Sequence, residues 1–95
     1  MKALPSDLLS QPGAWTQGAF ARVDPKSTEE VDPEGPDAKC WCVLGACHHC
    51  GVDYNGRLKL YQRLELDGCF DLVAWNDAPN RTQAEVVAML KECGL

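Results

Sequence analysis

Four of the six cysteines and both histidines lie inside one eleven-residue run, Cys40-Trp41-Cys42-Val43-Leu44-Gly45-Ala46-Cys47-His48-His49-Cys50. Thiolates and imidazoles are the commonest zinc ligands, and a thiol beside an imidazole is a nucleophile with its base. Cys47-x-x-Cys50 has the spacing of a zinc-ligand pair, with Cys40, Cys42 and His49 as candidates to complete the set. The geometry of a continuous helix works against that set. Cys40 would lie about 10 Å along the axis from Cys47, at 1.5 Å of rise per residue. Zinc ligands must converge to about 2.3 Å from one ion. Closure would need a break at Gly45-Ala46, or ligands from Cys69 or Cys93. On a helical projection Cys40, Cys47 and Cys50 instead share a face with Val43 and Leu44, while Cys42 and His49 fall opposite. Free cysteine packs as a small hydrophobe, so the expectation is a core stripe, with no metal and zinc as the alternative. A Cys47–Cys50 redox pair lacks the preceding strand of a thioredoxin-like site. A nucleophile–base–orienter set could be drawn from Cys42, His49, Asn76 and Asp77, but no local signature fixes it, and no catalytic residue is assigned.

These residues must be positioned by the rest of a 95-residue chain, which is the length of one domain, residues 1–95. Hydrophobic residues make up 45% of it, enough for a core. Leu4 to Leu9 reads as a short helix with an early proline, closed by Pro12-Gly13. Trp15 to Val23 suits a helical turn or a short strand. Residues 24–37 read as an acidic, proline-rich loop, with Pro25, Pro33, Pro36 and Gly35 among Glu29, Glu30, Asp32 and Glu34. A helix is expected from Pro36-Asp37 to Cys50, stopped by Gly51. Asp53-Tyr54-Asn55-Gly56 reads as a turn, with a hairpin as the alternative. Arg57 to Leu66 is rich in helix formers and is ended by Asp67-Gly68. Phe70 to Trp75 is a short apolar segment leading into an Asx-type turn at Asn76-Asp77, with Arg81 as a turn-bracing cation. Thr82-Gln83-Ala84-Glu85 is a capping box, and Val86, Met89, Leu90 and Cys93 follow on one face. Trp15, Trp41 and Trp75 read as core anchors. The fold class is mainly α: a small single-domain helical bundle of about four short helices, with one short β-hairpin as an option.

Net charge is −5 and the pI about 4.8. Phosphate binding rests on Lys and Arg, so direct nucleic-acid binding is not expected. No apolar run approaches the ~20 residues that span a bilayer, and Met1-Lys2-Ala3-Leu4 opens no signal-peptide core. The expectation is a cytoplasmic protein with free thiols and no membrane partner.

Three blocks carry a resemblance: Trp15-Thr16-Gln17-Gly18-Ala19-Phe20-Ala21-Arg22, Cys40-Trp41-Cys42-Val43-Leu44-Gly45-Ala46, and Ala74-Trp75-Asn76-Asp77-Ala78-Pro79-Asn80-Arg81-Thr82-Gln83-Ala84-Glu85-Val86. In this order they resemble an uncharacterised family of short proteins from bacteria and their phages. The resemblance supplies no catalytic residues. It implies that positions matching Cys47 and Cys50 are commonly apolar, which favours the core stripe. Its phage association suggests an inhibitor of a host nucleic-acid-handling defence complex. The expected activity is therefore non-enzymatic: an acidic binding protein whose partner carries a basic surface of the kind that holds nucleic acid. Glu29, Glu30, Asp32 and Glu34 are the candidate contacts. The rival classes are a zinc-stabilised module and a small Cys/His enzyme.

Overall fold

The computed structural model describes residues 4–24, 26 and 28–95. Met1, Lys2, Ala3, Pro25 and Ser27 lie outside the described residues, and with them part of the leader reading and one of the loop prolines. The elements in chain order are α1 (Pro5–Leu9), β1 (Ala21–Arg22), β2 (Cys40–Trp41), α2 (Val43–His49), α3 (Tyr54–Leu66), α4 (Leu72–Asn76) and α5 (Gln83–Glu92). The domain is mainly helical, with one two-stranded antiparallel sheet.

The helices begin where side chains can satisfy the first unpaired N–H groups. Asp53 caps α3 by accepting from Gly56 N, and Asp71 caps α4 by accepting from Val73 N and Ala74 N. Thr82 and Glu85 form the expected reciprocal capping box of α5. The Asp53–Gly56 segment is thus neither a free turn nor a hairpin. Its aspartate is a cap, and Asn55-Gly56 lies in the first turn of α3. The apolar segment after Phe70 is a helix of its own, α4, because Asp71 supplies the start that its short length conceals.

The largest departure is at the Cys/His run. The helix does not start at Pro36-Asp37. Residues 40–41 are a strand that pairs Ala21 with Trp41 and Arg22 with Cys40. On its other side Trp41 donates N–H to the Ala14 carbonyl at 2.8 Å and accepts from Thr16 N at 3.0 Å. The strand's backbone groups find partners on both sides, and tertiary pairing overrides local propensity. Cys42 is extended (ψ 175°) and caps α2 through its sulfur, which accepts from Gly45 N at 3.3 Å. Gly51, at φ 70°, stops α2 after Cys50.

The core gathers Leu9, Val43, Cys47, Leu60, Leu64, Leu72, Trp75, Val86 and Leu90. Helix α1 packs on α5 and α2, and α4 lies against α2 and α3. Gln83 Nε2 ties α5 to the Leu9 and Gln11 carbonyls at 2.6 and 2.8 Å. Helix α1 is tied to the segment after α5 where Ser6 N donates to Leu95 O at 3.1 Å. No helix of the described residues is long and apolar enough to cross a membrane.

Candidate functional site

The three motif blocks converge on one side chain, Asn76, which is completely buried at the end of α4. Its Oδ1 accepts from Trp15 Nε1 at 2.8 Å and from Val43 N, the first residue of α2, at 3.0 Å. Its Nδ2 donates to the Thr16 carbonyl at 3.1 Å and to Asp77 Oδ1 at 2.9 Å. All four hydrogen-bonding positions of the amide are therefore filled, two by the first block, one by the second and one by its own neighbour. Gln17 Nε2 reinforces the joint by donating to the Asn76 and Ala78 carbonyls, both at 2.9 Å. Asp77 Oδ1 also accepts from Gly18 N at 3.0 Å. The expected Asx turn at Asn76-Asp77 is thus a long-range clamp, because apart from the bond between the two neighbours every partner of their side chains lies 33 to 61 residues away in the chain.

The second block is fitted to the first by contact as well. A Cβ on Gly45 would lie 1.9 Å from the Phe20 carbonyl oxygen. That carbonyl accepts from Cys42 N at 3.2 Å, so it cannot retreat without breaking the joint. Arg81 braces the third block: its Nε donates to Trp75 O at 2.9 Å, its Nη1 reaches Glu85 at 3.2 Å, and its Cζ stands 3.9 Å from the Trp75 ring centroid.

The four cysteines of the run are buried but not aligned on one helix face. Cys40 lies on β2 with Sγ 3.6 Å from Arg22 O, so the shared face with Cys47 and Cys50 does not exist. Cys42, expected on the opposite face, is buried at the start of α2. Cys47 and Cys50 are buried as expected. Among the described residues, no three His, Cys, Asp or Glu side chains stand where they could hold one metal ion. Burial pushes the Cys47 thiol up to about 12, with Cys50 nearby adding to it. Burial also raises Cys42, against the opposing N–H groups of Gly45 and Leu44 and with the Asp77 charge. A thiol that stays protonated is a poor nucleophile. His49 is committed elsewhere. Its Nδ1 sits 2.8 Å from the Pro33 carbonyl, which can only accept, so Nδ1 carries the proton. Its ring lies 4.7 Å from Trp41, and it shares no hydrogen bond with Cys42. Of the drawn nucleophile set, Cys42 and Asp77 come together, and His49 does not join them.

Glu29, Glu30, Asp32 and Glu34 are all exposed. Their loop is nevertheless held at several points. Val31 N donates to Ala21 O at 3.1 Å, and the Pro33 carbonyl accepts from both Trp41 Nε1 (2.9 Å) and His49. Asp32 Oδ1 turns the chain by accepting from Glu34 N at 2.9 Å. Glu30 also lines an open cavity of about 150 Å³ with Gly18, Ala19, Phe20, Cys42, Val73 and Asp77. Sequence reasoning named the loop acids and missed the cavity. Phe20 falls in a segment that reads as a helical turn or short strand and Asp77 in a turn, and no local spacing links them.

A family model described as a family of unknown function, DUF6197, matches residues 6–94, and the chain belongs to that family. No curated protein and no solved structure matches it.

Proposed function

We propose that this chain is a small acidic binding protein, not an enzyme, and that it acts on a protein partner with a basic surface through Glu29, Glu30, Asp32 and Glu34. The observation that carries this reading is the way the acids are presented. Four exposed carboxylates sit on a loop whose backbone is pinned by Trp41 and His49 at Pro33 and by Ala21 at Val31. A loop held in place loses less conformational entropy on association than a free one. Clustered negative charge steers a basic partner and sets its orientation. The residues that would serve catalysis are otherwise engaged: Asn76 in the buried joint, His49 in the loop anchor, Cys42 as a buried helix cap. A basic surface of this kind is what a nucleic-acid-handling complex offers, and the finer reading is a phage-encoded inhibitor that occupies such a surface in the host cytoplasm.

The test compares the chain with its quadruple charge reversal, Glu29→Lys, Glu30→Lys, Asp32→Lys and Glu34→Lys, as immobilised baits for bacterial nucleic-acid-binding proteins. The expected result is capture that weakens steeply with added salt, is lost in the variant, and is competed by duplex DNA. Capture equal for both baits, or insensitive to salt, overturns the assignment.

A further inference from the structure

We propose that the cavity between Phe20, Glu30 and Asp77 receives the guanidinium group of an arginine presented by the basic partner. The inference rests on the acidic-binding reading and gives it a specific point of contact. Two acidic residues from distant parts of the chain, Glu30 and Asp77, line this cavity, and among the described residues no Lys, Arg or His lines it with them. Arg22, the nearby cation of β1, donates to the Gln17 carbonyl at 3.3 Å. Asp77 is immobilised by its first oxygen, which accepts from Gly18 N and Asn76 Nδ2. Its second oxygen takes no hydrogen bond among the described residues, so a fixed acceptor is left for a donor from outside. Charge-assisted bonds to a carboxylate gain most when the acceptor is already held in position.

The remaining walls suit the rest of an arginine side chain. Phe20 is half-exposed at the rim, where an aromatic face attracts a planar cation. Val73 offers apolar surface for the methylene stem. Cys42 is held as a neutral thiol by its burial and contributes no charge of its own. The size agrees: a cavity of about 150 Å³ accommodates a benzene-sized molecule, and guanidinium is no larger. A divalent ion fits less well, since no three ligating side chains converge among the described residues.

The experiment is a titration of the ¹⁵N-labelled chain, first with ethylguanidinium and then with a tetra-arginine peptide. The Gly18 and Ala19 amides report on the cavity, and those of Glu29 and Glu34 on the loop. Ethylguanidinium should shift the cavity amides alone, and the peptide should shift both sets. Glu30→Gln and Phe20→Leu, both at exposed positions that leave the Asn76 joint untouched, should each weaken ethylguanidinium binding, Glu30→Gln by about tenfold. Asp77→Asn retains the oxygen that Gly18 needs and should weaken it similarly. If the peptide shifts the loop amides while the cavity amides stay still, the cavity inference is wrong and the acidic-loop reading survives. If neither set moves, both are wrong. Equal shifts from n-butylammonium would overturn the guanidinium assignment.

Discussion

The joint around Asn76 and the loop of residues 24–37 use polar groups in opposite ways. In the joint a neutral amide is fully buried, and every donor and acceptor it carries is matched. In the loop, charged carboxylates are exposed, and the backbone beneath them is tied down at Val31 and Pro33. A buried polar group stabilises a fold only when its partners are complete, and a charge keeps its reach only while it remains near the surface. The most motif-like residues of this chain therefore hold the fold together, and the least motif-like segment is the one proposed to meet a partner.

The sharpest way to break this contrast is to empty the joint. Asn76→Ala strands Val43 N, Trp15 Nε1 and the Thr16 carbonyl and opens a void, at a cost of about 3–5 kcal/mol. A domain of this size has roughly 5–15 kcal/mol to lose, so urea unfolding should shift to a far lower midpoint. Gly45→Ala comes next, at about 3 kcal/mol, because the new methyl meets the Phe20 backbone rather than a side chain that could rotate away. Cys42→Ser nearby, which keeps a capping acceptor, should cost less by the same urea measurement.

The capping box of α5 gives a smaller effect with a definite pH dependence. Thr82→Ala should cost about 1 kcal/mol in thermal or urea unfolding. Hydrogen bonds from Thr82, helped by Arg81, hold the Glu85 carboxyl below its ordinary 4.5. A lowered folded value means that the unfolded chain takes up the proton first. The contribution is complete above about pH 4.5 and is lost as pH falls through the folded value. Glu85→Gln should therefore lower the plateau above about pH 4.5 and flatten the acid limb of the stability profile. The smallest effect on folding belongs to the loop. Reversing Glu29, Glu30, Asp32 and Glu34 together should move the unfolding midpoint little, about 0.5 kcal/mol per site at most, while removing partner binding.

What could be read from the residues alone follows the range of the interactions. The α5 cap, the stop at Gly51 and the helical character of Arg57–Leu66 depend on neighbours within a turn, and local chemistry specifies them. The start of α2 did not yield to the same reasoning. Cys40 and Trp41 are drawn out of a plausible helix by Ala21, Arg22, Ala14 and Thr16, which are 18 to 27 residues away. Asn76 is the extreme case. It looks like a turn residue because of Asp77 and Pro79, yet its amide is completed from Trp15, Thr16 and Val43. The loop acids were legible as a surface because charge in a proline-rich stretch has little prospect of burial. Their neighbours Phe20 and Asp77 were not, since only the folded chain brings them to one cavity.

Amide hydrogen exchange under native conditions compares the two regions most directly. The Val43 N–H, which Asn76 Oδ1 accepts inside the joint, should exchange only through global unfolding, with the core amides of α5. The amides of Glu34 and Gly35, closed by short local bonds on an exposed turn, should exchange orders of magnitude faster. Val43 exchanging as fast as Glu34 would contradict the account, because Asn76 would then not be the joint on which the three blocks depend.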